Sequence, residues 1–247
     1  MSRPTEPALC VAIVLALASM SGCAKAPKTE TAEVGRHRVR LVLPKGWERL
    51  DHGRQQLFRM GENQISLVDE GPATPEALVA EVQAAASLWQ AGRRKDAVQR
   101  IREIRHPALR FASSGQRLSF WTPWTDATYG RDSVAIGDAF GKMIEAIDLL
   151  PVVAPESLAE YVLFPPSTFR RKEVARQDSK TIHGADWTDV QLWDMVSHMN
   201  RSRVAYLVNR GYLLVLSTDH GLYEVSEPAF EALLTSMEVT DVTRGAP

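Results

Sequence analysis

The sequence predicts an α+β fold in which a mostly antiparallel sheet is flanked by helices and interrupted by a helical insertion. Apolar and polar residues alternate near both ends of the chain, which is the pattern of strands with one buried face. The middle of the chain repeats apolar residues every three or four positions, as helices do. Few helices stand between successive strands, which favours antiparallel pairing over a doubly wound sheet. The 247 residues are 45% apolar and 24% charged, as in globular proteins.

The first strands are predicted between residues 38 and 69. Apolar residues at 39, 41 and 43 form one face of a strand, and the segment Pro44-Lys45-Gly46-Trp47 ends it. Gln55–Met60 and Gln64–Asp69 have the same alternating character. Gly61-Glu62-Asn63 lies between them, so these two strands are predicted to form a hairpin.

Helices are predicted from Thr74 to about Leu150. Thr74-Pro75-Glu76 places a capping hydroxyl, a proline at the first helical position and an acid in the first turn. Apolar residues at 78, 82, 85 and 89 then form the stripe of a first helix, which ends near Gly92. A second helix is predicted over about Lys95–Arg105 and a third over about Ser133–Leu150, while Pro107–Gly130 between them is expected to be irregular.

The last third of the chain is expected to return to strands, followed by a closing helix and a short final strand over Glu238–Val242. Asn209-Arg210-Gly211 predicts a tight hairpin between the two most apolar strands, which are expected to be central in the sheet. Ser226 is expected to cap the closing helix. The predicted strands are Phe169–Gln177, Asp186–Asp194, Arg203–Val208 and Tyr212–Ser217, after a short helix around Glu156–Tyr161.

The first two dozen residues have the features of a secretion signal. Met1–Pro7 is a short charged head, and Ala8–Met20 is almost wholly apolar. A helix of that length spans about 20 Å, which is less than the roughly 30 Å of a bilayer's hydrocarbon core. Met20-Ser21-Gly22-Cys23 resembles the lipobox of bacterial lipoproteins, in which the cysteine is lipidated and becomes the new N-terminus. The alternative is an ordinary cleaved signal peptide in which Cys23 has no role.

The lipobox resemblance implies a location and an organisation of the chain. In that family pattern, a residue other than Asp after the cysteine favours the outer membrane, and Ala24 stands there. We therefore expect a protein that faces the periplasm and is anchored to the outer membrane through lipid on Cys23. The expected organisation is a signal peptide over 1–22, a lipidated N-terminus and polar tether over 23–33, and a single domain over 34–247 with its helical and aromatic insertion at about 73–150.

The two ends of the body resemble a known family. Three segments carry the resemblance: the strand ending in Leu43-Pro44-Lys45-Gly46-Trp47, the paired strands within Val204–Leu216 and the closing helix over Glu227–Met237. They are similar to the PsbP-like α/β/α sandwich, a family that includes the DcrB lipoproteins. Members of this family are mostly non-catalytic binding, assembly or chaperone proteins. The resemblance therefore implies a binding function and identifies no ligand.

The sequence contains none of the common catalytic or nucleotide-binding motifs. No Gly-x-Ser-x-Gly elbow, phosphate-binding loop or dinucleotide-binding motif occurs, and no two of the six histidines are four apart on a helix. No catalytic residue, metal ligand or cofactor is therefore predicted. The best polar cluster is His183, Asp186 and Asp189, with His220 in a later loop. These residues are either solvated loop residues or, in an alternative reading, the site of a periplasmic hydrolase.

Two segments are candidates for binding a partner. Arg93, Arg94 and Lys95 begin a concentration of basic residues on the second predicted helix, which either contacts an acidic partner or lipid headgroups or is a solvated face. Trp121 and Trp124 flank Pro123 in an aromatic segment, which forms either a recognition loop or a cover for the core.

Net charge and the features above favour one functional class. The chain carries 29 basic and 30 acidic side chains, a formal charge of −1, so a nucleic-acid partner is not expected. The sequence predicts a non-enzymatic, membrane-anchored periplasmic lipoprotein that binds a protein partner, as an accessory factor in envelope assembly or secretion. A periplasmic hydrolase and a small-ligand carrier are the alternatives.

Overall fold

The computed structural model describes residues 28–130, 133–153, 162, 172–194 and 201–241. In this part of the chain it contains antiparallel sheets flanked by helices, so the predicted α+β class is confirmed. The predicted signal peptide, Cys23 and the short helix around Glu156–Tyr161 lie outside the described residues. No helix of the described part has both the length and the apolar character that crossing a membrane requires.

The described strands form two antiparallel sheets. The strands are β1 Lys28–Val34, β2 His37–Leu43, β3 Glu48–His52, β4 Gln55–Met60, β5 Asn63–Pro72, β6 Lys172–Ile182, β7 Ala185–Asp194, β8 Arg201–Asn209, β9 Tyr212–His220 and β10 Glu238–Asp241. A small sheet has the order β1-β2-β10, and a large one has the order β3-β4-β5-β9-β8-β7-β6. The two strands predicted to be central, β8 and β9, lie in the interior of the large sheet.

Five described helices stand between β5 and β6, and a sixth follows β9. The helices are α1 Pro75–Gln90, α2 Arg94–Arg102, α3 Pro107–Phe111, α4 Ser114–Gly130, α5 Ser133–Ile147 and α6 Tyr223–Ser236. The predicted cap of α1 is confirmed, because the Thr74 side chain accepts a hydrogen bond from the Ala77 N–H at 3.4 Å. The predicted cap of α6 is wrong, since α6 begins at Tyr223 and Ser226 lies buried inside it.

The main core lies between the two sheets and α6. Alternating residues of β2, β4, β5, β8 and β9 point into it, and α6 contributes one apolar face. Burial of each large side chain contributes about 1.5–3 kcal/mol. Its largest members include Leu41, Phe58, Ile65, Leu67, Trp187 and Phe230.

The inserted helices bury a second core of their own. Leu78 and Val82 of α1 pack with Ile101 of α2, and Phe140 and Met143 of α5 close the cluster. These residues follow the three-to-four spacing seen in the sequence, because that spacing places them on one helix face. The insertion is thus a helical bundle between β5 and β6.

The segment Pro107–Gly130 corrects the prediction of an irregular stretch, because it forms α3 and α4. Pro123 lies inside α4 and has no N–H to donate to the preceding turn. Burial of Phe120 and Trp124 against α5 offsets that loss. Tertiary packing therefore overrides the helix-breaking tendency of the proline.

Residues 28–33 correct the prediction that the tether extends to Glu33. They belong to β1, which pairs antiparallel with β2 from Lys28 opposite Leu43 to Val34 opposite His37. Ala32 and Val34 are its buried residues. Because these two apolar side chains are small and their neighbours are charged, the alternation of apolar and polar residues is too weak to predict a strand here.

Candidate functional site

A cleft of about 840 Å³ opens between one end of the sandwich and the α1–α2 hairpin. The sandwich side is formed by β1, β3, β4 and β5 with their turns, and the other wall by α1 and α2. Almost all of the side chains that line it are polar or charged. Its guanidinium groups belong to Arg36, Arg49, Arg54, Arg93 and Arg100, and its carboxylates to Glu33, Asp51, Asp69, Glu81, Asp96 and Glu103.

Glu81 is the central charge of the cleft wall. It lies on α1 among apolar neighbours, and its side chain is only 4% exposed. It is paired with two cations: the Arg36 guanidinium from the β1–β2 turn and the Arg100 Nε–H from α2, which donates at 2.9 Å. Two guanidiniums thus share one carboxylate, so this group carries a net positive charge toward the cleft.

Tyr212 supports this group from β9. The Arg36 guanidinium lies 4.6 Å from the centre of its ring, a cation–π distance. Burial, and then the negative charge of Glu81, raise the pKa of Tyr212 to about 12. The phenol is therefore neutral at physiological pH, and it donates a hydrogen bond to the Ala77 carbonyl at 3.4 Å.

Asp69 fixes the turn that carries Arg36. Its carboxylate accepts hydrogen bonds from the Arg36 backbone N–H at 2.7 Å and from the Gly71 N–H at 2.8 Å. Gly35 has a φ of +57°, and a Cβ there would lie 2.1 Å from Asp69 Oδ2. The approach of Asp69 to the turn therefore requires glycine at position 35.

Gly35→Ala is expected to lower the free energy of unfolding by about 2 kcal/mol, because Asp69 must move away from the two N–H groups it binds. Gly61→Ala is the matched control, since Gly61 has a similar φ of +60° and open space where a Cβ would stand. Gly61→Ala should lower the free energy of unfolding only by the cost of a positive φ for alanine, about 1 kcal/mol. Urea denaturation of both variants measures the difference, and equal losses would contradict this role of Asp69.

Gln56 places a buried acceptor at the same cleft. Its side chain is 2% exposed, and its Nε2 donates to the Glu33 carbonyl at 3.1 Å. Within the described structure, its Oε1 has no hydrogen-bond partner. An unsatisfied buried acceptor costs about 1–3 kcal/mol, and a donor that enters the cleft would remove this cost.

The basic candidates of the sequence divide between two surfaces. Arg93 lines the cleft, where its Nε–H donates to Asp96 at 2.7 Å. Arg94 and Lys95 instead line a separate groove of about 430 Å³ that also contains Trp89 and Arg102. The Arg94 guanidinium lies 5.2 Å from the Trp89 ring centre. The structure therefore brings only Arg93 of the three to the cleft.

The aromatic candidates lie in α4 and not in a loop, which corrects that part of the prediction. Trp124 is 8% exposed and packs against Phe140 with ring centres 5.6 Å apart. Trp121 is half-buried and meets Phe120 edge to face at 4.8 Å. Packing against the helical core accounts for the pair, and Trp124 is not available at the surface.

The predicted Asp and His cluster is spread along the sheet. His183 lies in the β6–β7 turn. Asp186 is an exposed residue of β7 and lies two residues before Thr188. Thr188 of β7 pairs with Tyr206 of β8, and Tyr206 pairs with Val215 of β9. Thr188 and Val215 therefore lie at the same height along the sheet. His220 stands five residues beyond Val215 in a strand parallel to β7, so about 23 Å of strand separates it from the level of Asp186. The two loops do not converge.

Asp189 belongs instead to a buried ion network below α6. Arg203 donates to it through Nε at 2.9 Å and Nη2 at 2.6 Å, and Lys180 Nζ lies 2.8 Å from it. Arg203 also pairs with Glu231 and lies 4.8 Å from the Phe230 ring centre. Burial raises the pKa of Asp189, but the hydrogen bonds and charges of Arg203 and Lys180 outweigh it and hold the pKa below its ordinary value.

No group of three or more His, Cys, Asp or Glu residues in the described ranges is arranged to hold a metal ion. The cleft residues Arg36, Glu81 and Gln56 were not predicted from the sequence. One feature of the sequence could have identified Glu81 as a buried charge: it is an acidic residue beside Val82, in the apolar stripe of α1. The positions of Arg36 and Gln56 depend on contacts between distant segments.

The described residues thus define an antiparallel α+β sandwich with a charged cleft at one end. No family model matches the sequence, and no curated protein matches it. Among solved structures, the chain is similar to the solution structure of cyanobacterial PsbP (CyanoP) from Synechocystis sp. PCC 6803. The alignment covers 90% of this chain and 99% of that chain, with 9% sequence identity and a TM-score of 0.36.

Proposed function

We propose that this protein is a non-enzymatic lipoprotein, anchored to the outer membrane through lipid on Cys23, that binds a protein partner in its arginine-lined cleft. The observation that carries the proposal is the cleft itself, which five arginines line and in which two of them are held by the buried carboxylate of Glu81. Arginine is enriched in protein interfaces, where its planar group binds carboxylates in a defined geometry.

The rim of the cleft supports a protein as the partner. Glu33, Asp51, Asp96 and Glu103 are exposed carboxylates around the arginines. A surface that alternates both signs of charge complements a partner that also carries both. Proteins commonly present such mixed charges, and this arrangement gives specificity more than affinity.

The proposed anchor places the cleft close to the membrane. Lys28, the first residue of β1, is five residues after Cys23, a span of at most about 18 Å. Thr31, Ala32 and Glu33 of the same strand line the cleft. A partner bound there would therefore lie within a few nanometres of the lipid, as an accessory role in envelope assembly or secretion requires.

Photo-crosslinking in intact cells tests the proposal. A crosslinking residue at position 103, which lines the cleft, should give a discrete adduct in the membrane fraction. The same residue at position 102, which lines the other groove, is the matched control and should not give that adduct. The proposal fails if the adduct forms equally from position 102, or if Arg100→Gln leaves the adduct at position 103 unchanged.

The same cells test the anchor. Labelled fatty acid should enter the wild-type protein, and Cys23→Ser should abolish both the label and sedimentation with membranes. Cys10→Ser is the control, because Cys10 lies in the segment that the lipobox pattern removes. A Cys23→Ser protein that still carries label and still sediments would contradict the lipid anchor.

A further inference from the structure

We infer that the cleft binds an extended polypeptide segment through one acidic side chain, which Arg36 and Arg100 hold while a backbone N–H of the segment donates to Gln56. This inference rests on the proposed function and specifies the chemistry of the partner. Three independent features of the cleft support it.

The first feature is the unequal pairing around Glu81. Each guanidinium has five N–H donors, and Arg100 contacts Glu81 through Nε at one edge of its group. Arg36 and Arg100 both line the cleft as well. The side chains of Arg36 and Arg100 are 33% and 20% exposed, so charged hydrogen bonds made there are only partly weakened by water. A ligand carboxylate would balance the second guanidinium.

The second feature is the unpaired Oε1 of Gln56. Because Nε2 of Gln56 donates to Glu33, the oxygen is the atom without a partner, and it can only accept a hydrogen bond. The oxygen is itself buried, so the N–H of the bound segment reaches it when the Gln56 side chain turns toward the cleft. Inorganic phosphate and a simple carboxylate at neutral pH offer mainly acceptors. A polypeptide offers a carboxylate for the arginines and N–H groups for this acceptor in one molecule.

The third feature is the acidic rim. Glu33, Asp51, Asp96 and Glu103 are exposed carboxylates that also line the cleft. The first three pair with Arg38, Arg49 and Arg93 and so offset the positive charge at the rim. A membrane leaflet rich in acidic lipid would gain little from such a balanced rim, whereas a single carboxylate flanked by neutral or basic residues needs only the arginines beside Glu81. The cleft therefore favours an isolated acidic side chain within a mixed-charge segment.

Peptide pools test this inference on the full-length protein. Capped heptapeptides with random flanking residues would carry Glu, Gln or phosphoserine at the centre, and a fourth pool would carry central Gln and a free C-terminal carboxylate. Retention by the immobilised protein is measured by mass spectrometry. The central-Glu pool should be retained about tenfold more than the central-Gln pool. Retention of the fourth pool above the first would assign the carboxylate to a chain terminus and overturn the side-chain assignment.

Variants connect the retention to the cleft. Arg100→Gln should remove the preference for Glu, whereas Arg102→Gln on the opposite face of α2 should preserve it. Gln56→Met, which keeps the size of the side chain and removes the acceptor, should reduce retention of both central-Glu and central-Gln pools several-fold. Thermal unfolding identifies any variant that fails to fold. If Arg100→Gln fails to fold, Arg36→Lys replaces it in the test, because lysine keeps the positive charge beside Glu81 but lacks the planar fork of arginine.

Several outcomes would overturn the inference. Equal retention of the Glu and Gln pools would do so, as would no retention of either. Tighter binding of inorganic phosphate or of phosphatidylglycerol vesicles, displacing the peptides, would replace the polypeptide by a phosphate-bearing ligand. An adduct from position 103 without peptide discrimination would leave the proposed function standing and remove only this inference. Peptide discrimination without that adduct would contradict the proposed function in cells and would leave only the chemical preference of the isolated cleft.

Discussion

Arg203→Met is expected to lower the free energy of unfolding by about 3 kcal/mol. The substitution would leave Lys180 as the remaining cation for both the buried carboxylate of Asp189 and the half-exposed carboxylate of Glu231. Methionine is apolar and would still fill space beside Phe230. The loss would therefore come from a buried carboxylate that keeps one cation and loses its two hydrogen bonds from Arg203, and not from a cavity. Urea denaturation at pH 7 measures it.

Two comparison variants separate this charge effect from general loss of packing. The double variant Asp189→Leu with Arg203→Met removes both buried charges, so it should recover most of the loss. Arg176→Met removes a cation that is 65% exposed and paired with Asp178, so it should change the free energy of unfolding by less than about 1 kcal/mol. If the double variant is no more stable than Arg203→Met alone, this account of the network is wrong.

The network also predicts a sign for the effect of acid. The pKa of Asp189 is lower in the folded state than its ordinary value. Its contribution is therefore fully present above the ordinary pKa of an aspartate and is lost as the pH falls through the lower, folded pKa. Arg203→Met should reduce this part of the acid sensitivity, below about pH 4, because Lys180 alone then lowers the pKa of Asp189.

The strands and helices that the sequence predicted well are those that local patterns determine. The β8–β9 hairpin follows from Asn209-Arg210-Gly211, where Arg210 and Gly211 adopt φ values of +46° and +82°. The alternation in β2 and the helical stripe of α1 likewise need only neighbouring residues. Each of these signals is short-range, so it can be interpreted without knowing the rest of the fold.

The elements that were missed depend on tertiary contacts. In α4, Pro123 and two tryptophans favoured a loop by local rules, and only burial against α5 makes a helix there. In β1, the buried side chains are small, and pairing with β2 forms the strand. Local propensity gives the wrong answer in both segments because packing energy exceeds it.

The cleft was harder to predict than the fold. Arg36 and Arg100 meet at Glu81 although 64 residues separate the two arginines. The sequence did mark Arg93 and the basic helix as a candidate, but it could not show which face of α2 points toward the sandwich. The same limit left open whether the Asp and His residues converge, because that depends on the register of β7, β8 and β9, which sets Asp186 and His220 far apart.

Acidification from pH 7 to pH 4 is expected to remove about 3 kcal/mol of stability through one residue, His106. The side chain is 4% exposed and caps α3, with Nδ1 accepting a hydrogen bond from the Ala108 N–H at 3.1 Å. Burial lowers its pKa from 6.5 to about 4, against a weaker opposing hydrogen bond to the Thr74 backbone. The unfolded chain therefore binds a proton between these pH values and the folded chain does not, so stability is present above pH 6.5 and is lost as the pH falls toward 4.

His106→Asn isolates this contribution. Asparagine also accepts hydrogen bonds at a helix N-terminus, but it does not titrate in this range. The free energy of unfolding of the variant should therefore decline less than that of the wild type between pH 7 and pH 4, by about 3 kcal/mol. Glu70 acts in the opposite direction, because burial raises its pKa, and its effect cancels in the comparison since both proteins contain it. Parallel pH profiles for the two proteins would show that His106 is protonated in the folded state and would contradict the prediction.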